Sequence, residues 1–244
     1  MEMTKETILG VDVTKTSEDD LSQHLLNNII NEDKQAFIVA INPEKITLAN
    51  KDRELKTLLN QATIQIPDGV GVLIASKLQG GNITERITGV DLMERLIKDA
   101  ATHKKRVFFY GAKPGTADAA KTNLTNKYPG LNVVGIIDGY EQNTRYIIET
   151  INQQKPDYLF VALGSPKQEQ WIVEHMGELN VRVFQGVGGS FDVFSGKAKR
   201  APEAYRKLGL EWLYRLLKEP HRIKRQIRLP LFFLQVLKAR VLKK

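Results

Sequence analysis

The chain has 244 residues, 42% of them hydrophobic, no cysteine and a formal net charge of +8. That length suits one large α/β domain or one domain plus an appendage, and the missing cysteine excludes a disulfide framework, a thiolate nucleophile and a cysteine metal site. The charge is uneven: residues 205–244 carry twelve Lys/Arg against two Glu, a net of +10, which leaves residues 1–204 at −2. A slightly acidic body with a basic tail points to a polyanion partner, either nucleic acid or an anionic membrane surface. The opening "MEMTKETILGVDV" has no long apolar run, so neither a signal peptide nor a membrane anchor is expected there. The expected location is the cytoplasmic side.

In chain order, the apolar patterning predicts strands over 8–13, 36–41, 63–66, 106–110, 132–136, 158–163 and 181–185. Helices are predicted between them, over 17–31, 90–102, 116–127, 145–154 and 167–175. Ser17-Glu-Asp-Asp supplies an N-cap and an acidic first turn for the first of these. Near-continuous apolar strands such as "YLFVAL" fit a sheet covered on both faces. The alternation predicts a mainly parallel, Rossmann-like α/β/α sandwich over residues 1–196. After Gly196 the strand pattern stops, and a helical, basic appendage over 197–244 is expected, broken near Pro220 and Pro230. Arg215, Lys218, Arg222 and Arg225 share a face if one helix continues past Pro220. Beyond Pro230, "LFFLQVL" is too short to span a bilayer but suits its interface. The alternative is a helix packed on the body with a solvated basic face.

The stretch "TIQIPDGVGV" over 63–72 ends an alternating run with one carboxylate between a proline and a glycine. Alternation turns Ile64 and Ile66 toward a core and Thr63 and Gln65 away from it. Pro67 then stops the ladder, Gly69 permits a turn, and Asp68 is presented at a strand's carboxyl end, where open α/β sheets bind ligands. The plainer reading makes Asp68 the cap of a helix that starts near Val70. Three more glycine-bearing turns follow predicted strands: "YGAKPG", "ALGSPKQEQW" and "QGVGGSFD". Such turns expose backbone N–H groups and helix N-termini to phosphate. None matches a P-loop, and "GVGGSF" lacks the dinucleotide spacing. Gln168 and Glu169 fall in a first helical turn, where they can bond a sugar or a base, or merely complement the helix dipole. There is no Asp-x-Asp pair, the four histidines are scattered, and G-x-S-x-G is missing. Neither a metal site nor a hydrolase triad is predicted.

Seven segments in order, "INPEK", "IPDGVGV", "ERITGVDL", "GAKPGTA", "ALGSPKQEQW", "GVGGSFDVFSGKAKRAP" and "LGLEWLYRLLKEPHR", resemble the WecG/TagA/CpsF glycosyltransferase family. The likeness spans about residues 8–228. It implies an inverting, metal-independent enzyme without a cofactor, acting at the cytoplasmic membrane face as a peripheral protein. The implied donor is UDP-N-acetylmannosamine, and the implied acceptor is the C4 hydroxyl of GlcNAc on undecaprenyl diphosphate, in wall teichoic acid linkage-unit synthesis. Asp68 matches the family's proposed general base. Asn42, Arg86, Gln168, Glu169, Gly188 and Asp192 match positions at the donor, with Arg86, glycine turns and helix N-termini as counter-charges for UDP. Ala40 stands where the family usually carries a threonine whose hydroxyl assists, which implies either a naturally slower variant or an introduced active-site substitution. Arg215, Arg222 and Arg225 are expected to hold the acceptor diphosphate. Another UDP-sugar, an impaired variant and a nucleic-acid-binding protein with a basic arm remain as alternatives. Phe232 and Phe233 lie in a leucine-rich run rather than among the basic residues, which favours lipid over nucleic acid. The oligomeric state is left open, with a homo-oligomer among the alternatives.

Overall fold

The computed structural model describes residues 3–207, 209–218 and 228–242. A short hairpin comes first, β1 (Lys5–Ile8) paired antiparallel with β2 (Val11–Thr14). The single strand predicted over 8–13 is therefore two strands. Leu9 and Gly10 between them both take positive φ, 51° and 83°, the backbone of a tight two-residue hairpin turn.

The main sheet has six strands, all parallel: β3 (Ala36–Ile41), β4 (Ile64–Pro67), β5 (Arg106–Gly111), β6 (Asn132–Ile137), β7 (Tyr158–Ala162) and β8 (Val183–Gly186). Their order is β4-β3-β8-β7-β5-β6. From β3 the chain steps to one edge, from β5 to the other, and from β7 back to the centre at β8. Connections that diverge in this way open crevices along the carboxyl edge of the sheet.

Helices α1 (Glu18–His24), α2 (Pro43–Ala49), α3 (Arg53–Gln61), α4 (Val70–Leu78), α5 (Gly89–Thr102), α6 (Thr116–Lys127), α7 (Thr144–Gln154), α8 (Lys167–His175) and α9 (Ser190–Phe194) cover both faces. Sequence periodicity does not anticipate α2 and α3, although each has a local start signal. Asn42 and Asp52 accept from the backbone N–H of Lys45 and Leu55, and Pro43 follows Asn42 at the start of α2. The helix predicted over 17–31 starts on its Ser17 cap and passes into a π-helical turn at Leu25–Ile30. Core residues divide by face. Leu21, Leu92, Leu96 and Phe191 pack with Ile64, Ile66 and Phe109 on one side, and Ile46, Val72, Ile151 and Ile172 pack with Val39 and Phe184 on the other.

Gln65 does not point to solvent as its alternation suggests. The hairpin lies over it, and its amide is fully buried, donating to the carbonyls of Leu59 and Ala62 while its N–H donates to Thr14 Oγ1. A covered strand can carry a polar residue on its second face when every donor finds an acceptor.

The C-terminal part is helical: α10 (Glu203–Lys207), α11 (Glu211–Lys218) and a last helix, Arg228–Leu242, with Pro230 in its first turn. The break expected near Pro220 lies outside the described residues. The last helix packs against α2 and α4. Leu229, Phe232, Phe233 and Val236 share its inner face, and Phe232 and Val236 are fully buried. Leu231, Leu234 and Leu237 form an exposed outer stripe. The run read as an interfacial segment is thus two faces, one of which closes the core.

Candidate active site

The site is built where strands end and helices begin. In the β3–β4 pair, Ala40 lies opposite Ile66 and Ile41 opposite Pro67. The Asp68 N–H extends this ladder by donating to the Ile41 carbonyl at 2.8 Å. Ala40, Asn42, Ile66 and Asp68 therefore have the same strand parity, and Asn42 and Asp68 each directly follow their strand at the carboxyl edge. Helix α4 begins on Gly69, whose φ of 104° is open to glycine alone. Asp68 is consequently not the N-cap, which corrects the plainer reading of this stretch. The start of α4 also lies hard against α2: a Cβ at Gly71 would fall 2.6 Å from Pro43 Cγ.

Beside this corner, three turns are joined by a buried polar network. Lys45, in the first turn of α2, donates from Nζ to Glu169 Oε1 at 2.7 Å. Glu169, in the first turn of α8, has 0% exposure. Gln168 Nε2 donates to the same Glu169 oxygen at 3.0 Å, and Gln168 Oε1 accepts from the Gly188 N–H at 3.0 Å. Burial opposes ionisation of Glu169, but the Lys45 charge and the hydrogen bonds from Lys45 and Gln168 outweigh it. The carboxyl is held below the usual glutamate range. The structure thus brings together the predicted Gln168, Glu169 and Gly188, with Asn42 capping the helix that carries Lys45. Asp192 follows in the first turn of α9.

Arg86 lies next to the Asp68 turn, since the following residue, Ile87, donates its N–H to the Pro67 carbonyl at 3.0 Å. Arg86 Nη2 donates to the Arg206 carbonyl at 3.0 Å, and Arg86 lines a cleft of about 550 Å³ with Glu18, Asp91, Arg95 and Arg206. Ala40 faces the start of α5, where a Cβ at Gly89 would fall 3.6 Å from Ala40 Cβ. The expected acceptor residues are less visible. Arg215 lies in α11, and the structure describes its backbone position alone; Arg222 and Arg225 lie outside the described residues. Among the described residues, no three His, Cys, Asp or Glu side chains group so as to hold a metal ion.

Sequence reasoning missed two features. Lys45 is one, and its signal was a cation placed in a helix's first turn, against the dipole, which calls for a nearby anion. The other is Arg200. Its guanidinium bonds both oxygens of Asp91 and reaches Glu211 at 3.6 Å, tying the start of the C-terminal segment to α5. Burial raises the Asp91 carboxyl, but bonds from Arg200 and Thr88 and the Arg200 charge bring it below the usual range. No local pattern marks a pair 109 residues apart.

A model of the glycosyl transferase WecG/TagA/CpsF family matches residues 6–244. The chain is also similar to curated proteins named N-acetylglucosaminyldiphosphoundecaprenol N-acetyl-beta-D-mannosaminyltransferase. With that of Bacillus subtilis (strain 168) it shares 37% identity over 242 residues, 99% of this chain and 94% of the relative. With that of Bacillus spizizenii the identity is 40% over 215 residues, 88% and 84% of the two chains. With that of Staphylococcus aureus (strain MRSA252) it is 38% over 240 residues, 97% and 93%.

Proposed function

The chain belongs to the WecG/TagA/CpsF family of glycosyl transferases, and from that premise we propose that it transfers N-acetylmannosamine from UDP to GlcNAc on undecaprenyl diphosphate. The observation that carries the reading is that Asn42 and Asp68 directly follow the paired strands β3 and β4, on the carboxyl edge that also holds the Lys45–Glu169–Gln168–Gly188 network. A base and a set of polar groups on one sheet edge are what group transfer between two sugars requires.

Asp68 takes the proton from the acceptor's C4 hydroxyl as that oxygen attacks the anomeric carbon. The new glycosidic bond forms, the bond from the anomeric carbon to the phosphate oxygen breaks on the opposite side, and UDP leaves with inversion. Asn42, Gln168, Gly188 and Asp192 line the donor, with Glu169 buried behind Gln168. Charge on the departing diphosphate is met by protein groups, Arg86 and the helix N-termini among them, in a metal-independent reaction. Arg215, Arg222 and Arg225 hold the acceptor's diphosphate, and the helical segment after residue 196 brings the body to the cytoplasmic face of the membrane as a peripheral protein. The test is incubation with UDP-N-acetylmannosamine and a lipid-diphosphate-GlcNAc analogue. Release of UDP with formation of the disaccharide supports the reading, and no transfer at any acceptor concentration overturns it.

The alanine at position 40 makes a smaller prediction. Ala40 lies in strand β3, and a strand favours a β-branched side chain. Ala40→Thr is expected to raise the transfer rate roughly fivefold, the worth of one neutral hydrogen bond of about 1 kcal/mol, with donor affinity unchanged. Single-turnover rates of the two proteins decide it, and an equal or lower rate makes the position neutral.

A further inference from the structure

We propose that Lys45 is a positioning residue for the donor: it pins the Glu169 carboxylate so that Gln168, and through it the Gly188 turn, is held ready for UDP. The proposal rests on the donor pocket described above and adds a residue that touches no substrate.

Lys45 is badly placed for its own helix, since a cation in a first turn meets the positive end of the dipole. It is well placed for α8, 124 residues away, where it reaches Glu169 at 2.7 Å. Glu169 is fully buried, and its Oε2 has no hydrogen-bond partner among the described residues. Helix α3 and strands β7 and β8 also pack on α8, but among the described residues no other ion pair reaches Glu169. Without Lys45 the carboxylate loses that compensation, and a buried acid then takes up a proton instead.

What the carboxylate does is choose the orientation of the Gln168 amide. Gln168 Nε2 donates to Glu169 Oε1, which leaves Gln168 Oε1 to accept from the Gly188 N–H. Turned over, the amide would set oxygen against carboxylate and NH₂ against N–H. It has little room for a third position, because a Cβ at Gly186 would fall 2.7 Å from Gln168 Nε2. Gly188 has a φ of 52° and leads into α9, which carries Asp192. One ion pair between α2 and α8 therefore sets the β8–α9 turn, two elements away from Lys45.

The experiment is UDP titration by calorimetry between pH 6 and pH 8.5, reading each variant's affinity as a ratio to the unsubstituted chain because UDP itself titrates. Lys45→Arg keeps the charge and is expected within about twofold of the parent. Lys45→Met is expected to bind about tenfold more weakly at pH 6, the scale of one charge-assisted hydrogen bond, and to recover as pH rises. The sign follows from Glu169: with Lys45 present it stays ionised to well below neutrality, and without Lys45 it protonates as pH falls. Glu169→Gln is expected to be weakened at every pH. Should Lys45→Met fail to fold, the uncharged pair Lys45→Met with Glu169→Gln carries the test, with weakened, pH-flat binding expected and parental binding overturning the proposal. Parental affinity in Lys45→Met at every pH, with Glu169→Gln weakened, overturns the positioning role and leaves the donor pocket intact. A uniform loss that Lys45→Arg does not rescue also overturns it. Parental affinity in Glu169→Gln removes the donor pocket itself.

Discussion

Asp68→Asn is expected to lower turnover by roughly a hundredfold or more, the usual scale for loss of a general base, while UDP affinity and melting temperature stay close to those of the parent. The substitution keeps the side chain's shape and removes its capacity to accept a proton. Helix α4 starts on Gly69, and the bond from the Asp68 N–H to the Ile41 carbonyl of β3 is one that asparagine keeps. The residues proposed for the donor lie in other turns, Gln168 at the start of α8 and Gly188 before α9. A loss in the chemical step alone is therefore the expected signature, read as a fall in single-turnover rate with unchanged UDP binding. Near-parental turnover would take Asp68 out of the mechanism. Weakened UDP binding of the same size as the rate loss would make it a donor ligand instead of a base.

Why the turn that carries Asp68 is legible in the sequence and the Lys45–Glu169 pair is not follows from range. A strand that ends in proline, an acid and a glycine writes its turn into five adjacent residues, and the parallel sheet shows itself in runs such as "YLFVAL" that are buried on both faces. Strand order, by contrast, depends on which connections cross the sheet, and nothing local in β8 says that it pairs with β3. The same holds for the Lys45–Glu169 pair and for Arg200 with Asp91, whose partners lie more than a hundred residues apart. Helix α2 was legible in principle, since Asn42 and Pro43 are a start signal, but seven residues are too few to show a helical period. Gln65 was misread because alternation predicts which face a side chain takes and not whether a separate hairpin covers that face.

The last helix makes the larger prediction at the membrane. Removing it is a poor test, because Phe232 and Val236 are fully buried against α2 and α4, and truncation would open the core behind the Asp68 turn. Gly71, three residues after Asp68, sits where a Cβ would lie 3.5 Å from Leu229 Cδ1 and 3.7 Å from Phe233 Cζ. The outer stripe can be changed alone. Leu231, Leu234 and Leu237 are 46%, 63% and 44% exposed, spaced three apart on the side away from the body, with Lys238 and Arg240 also exposed near them. No helix among the described residues is long and apolar enough to cross a membrane, so this stripe can lie in an interface without spanning it. Inserting the exposed part of each leucine is worth roughly 1 kcal/mol at about 25 cal/mol per Å², and three together about a hundredfold in partitioning. Leu231→Gln, Leu234→Gln and Leu237→Gln combined are thus expected to weaken binding to anionic vesicles about a hundredfold, leaving a residual attraction that salt removes. Transfer to a short-chain, water-soluble acceptor should continue at the parental rate, because the inner face that supports the catalytic turn is untouched. Transfer to an undecaprenyl-linked acceptor in vesicles should fall with the binding. Unchanged vesicle sedimentation at low salt would mean that the stripe faces something other than lipid.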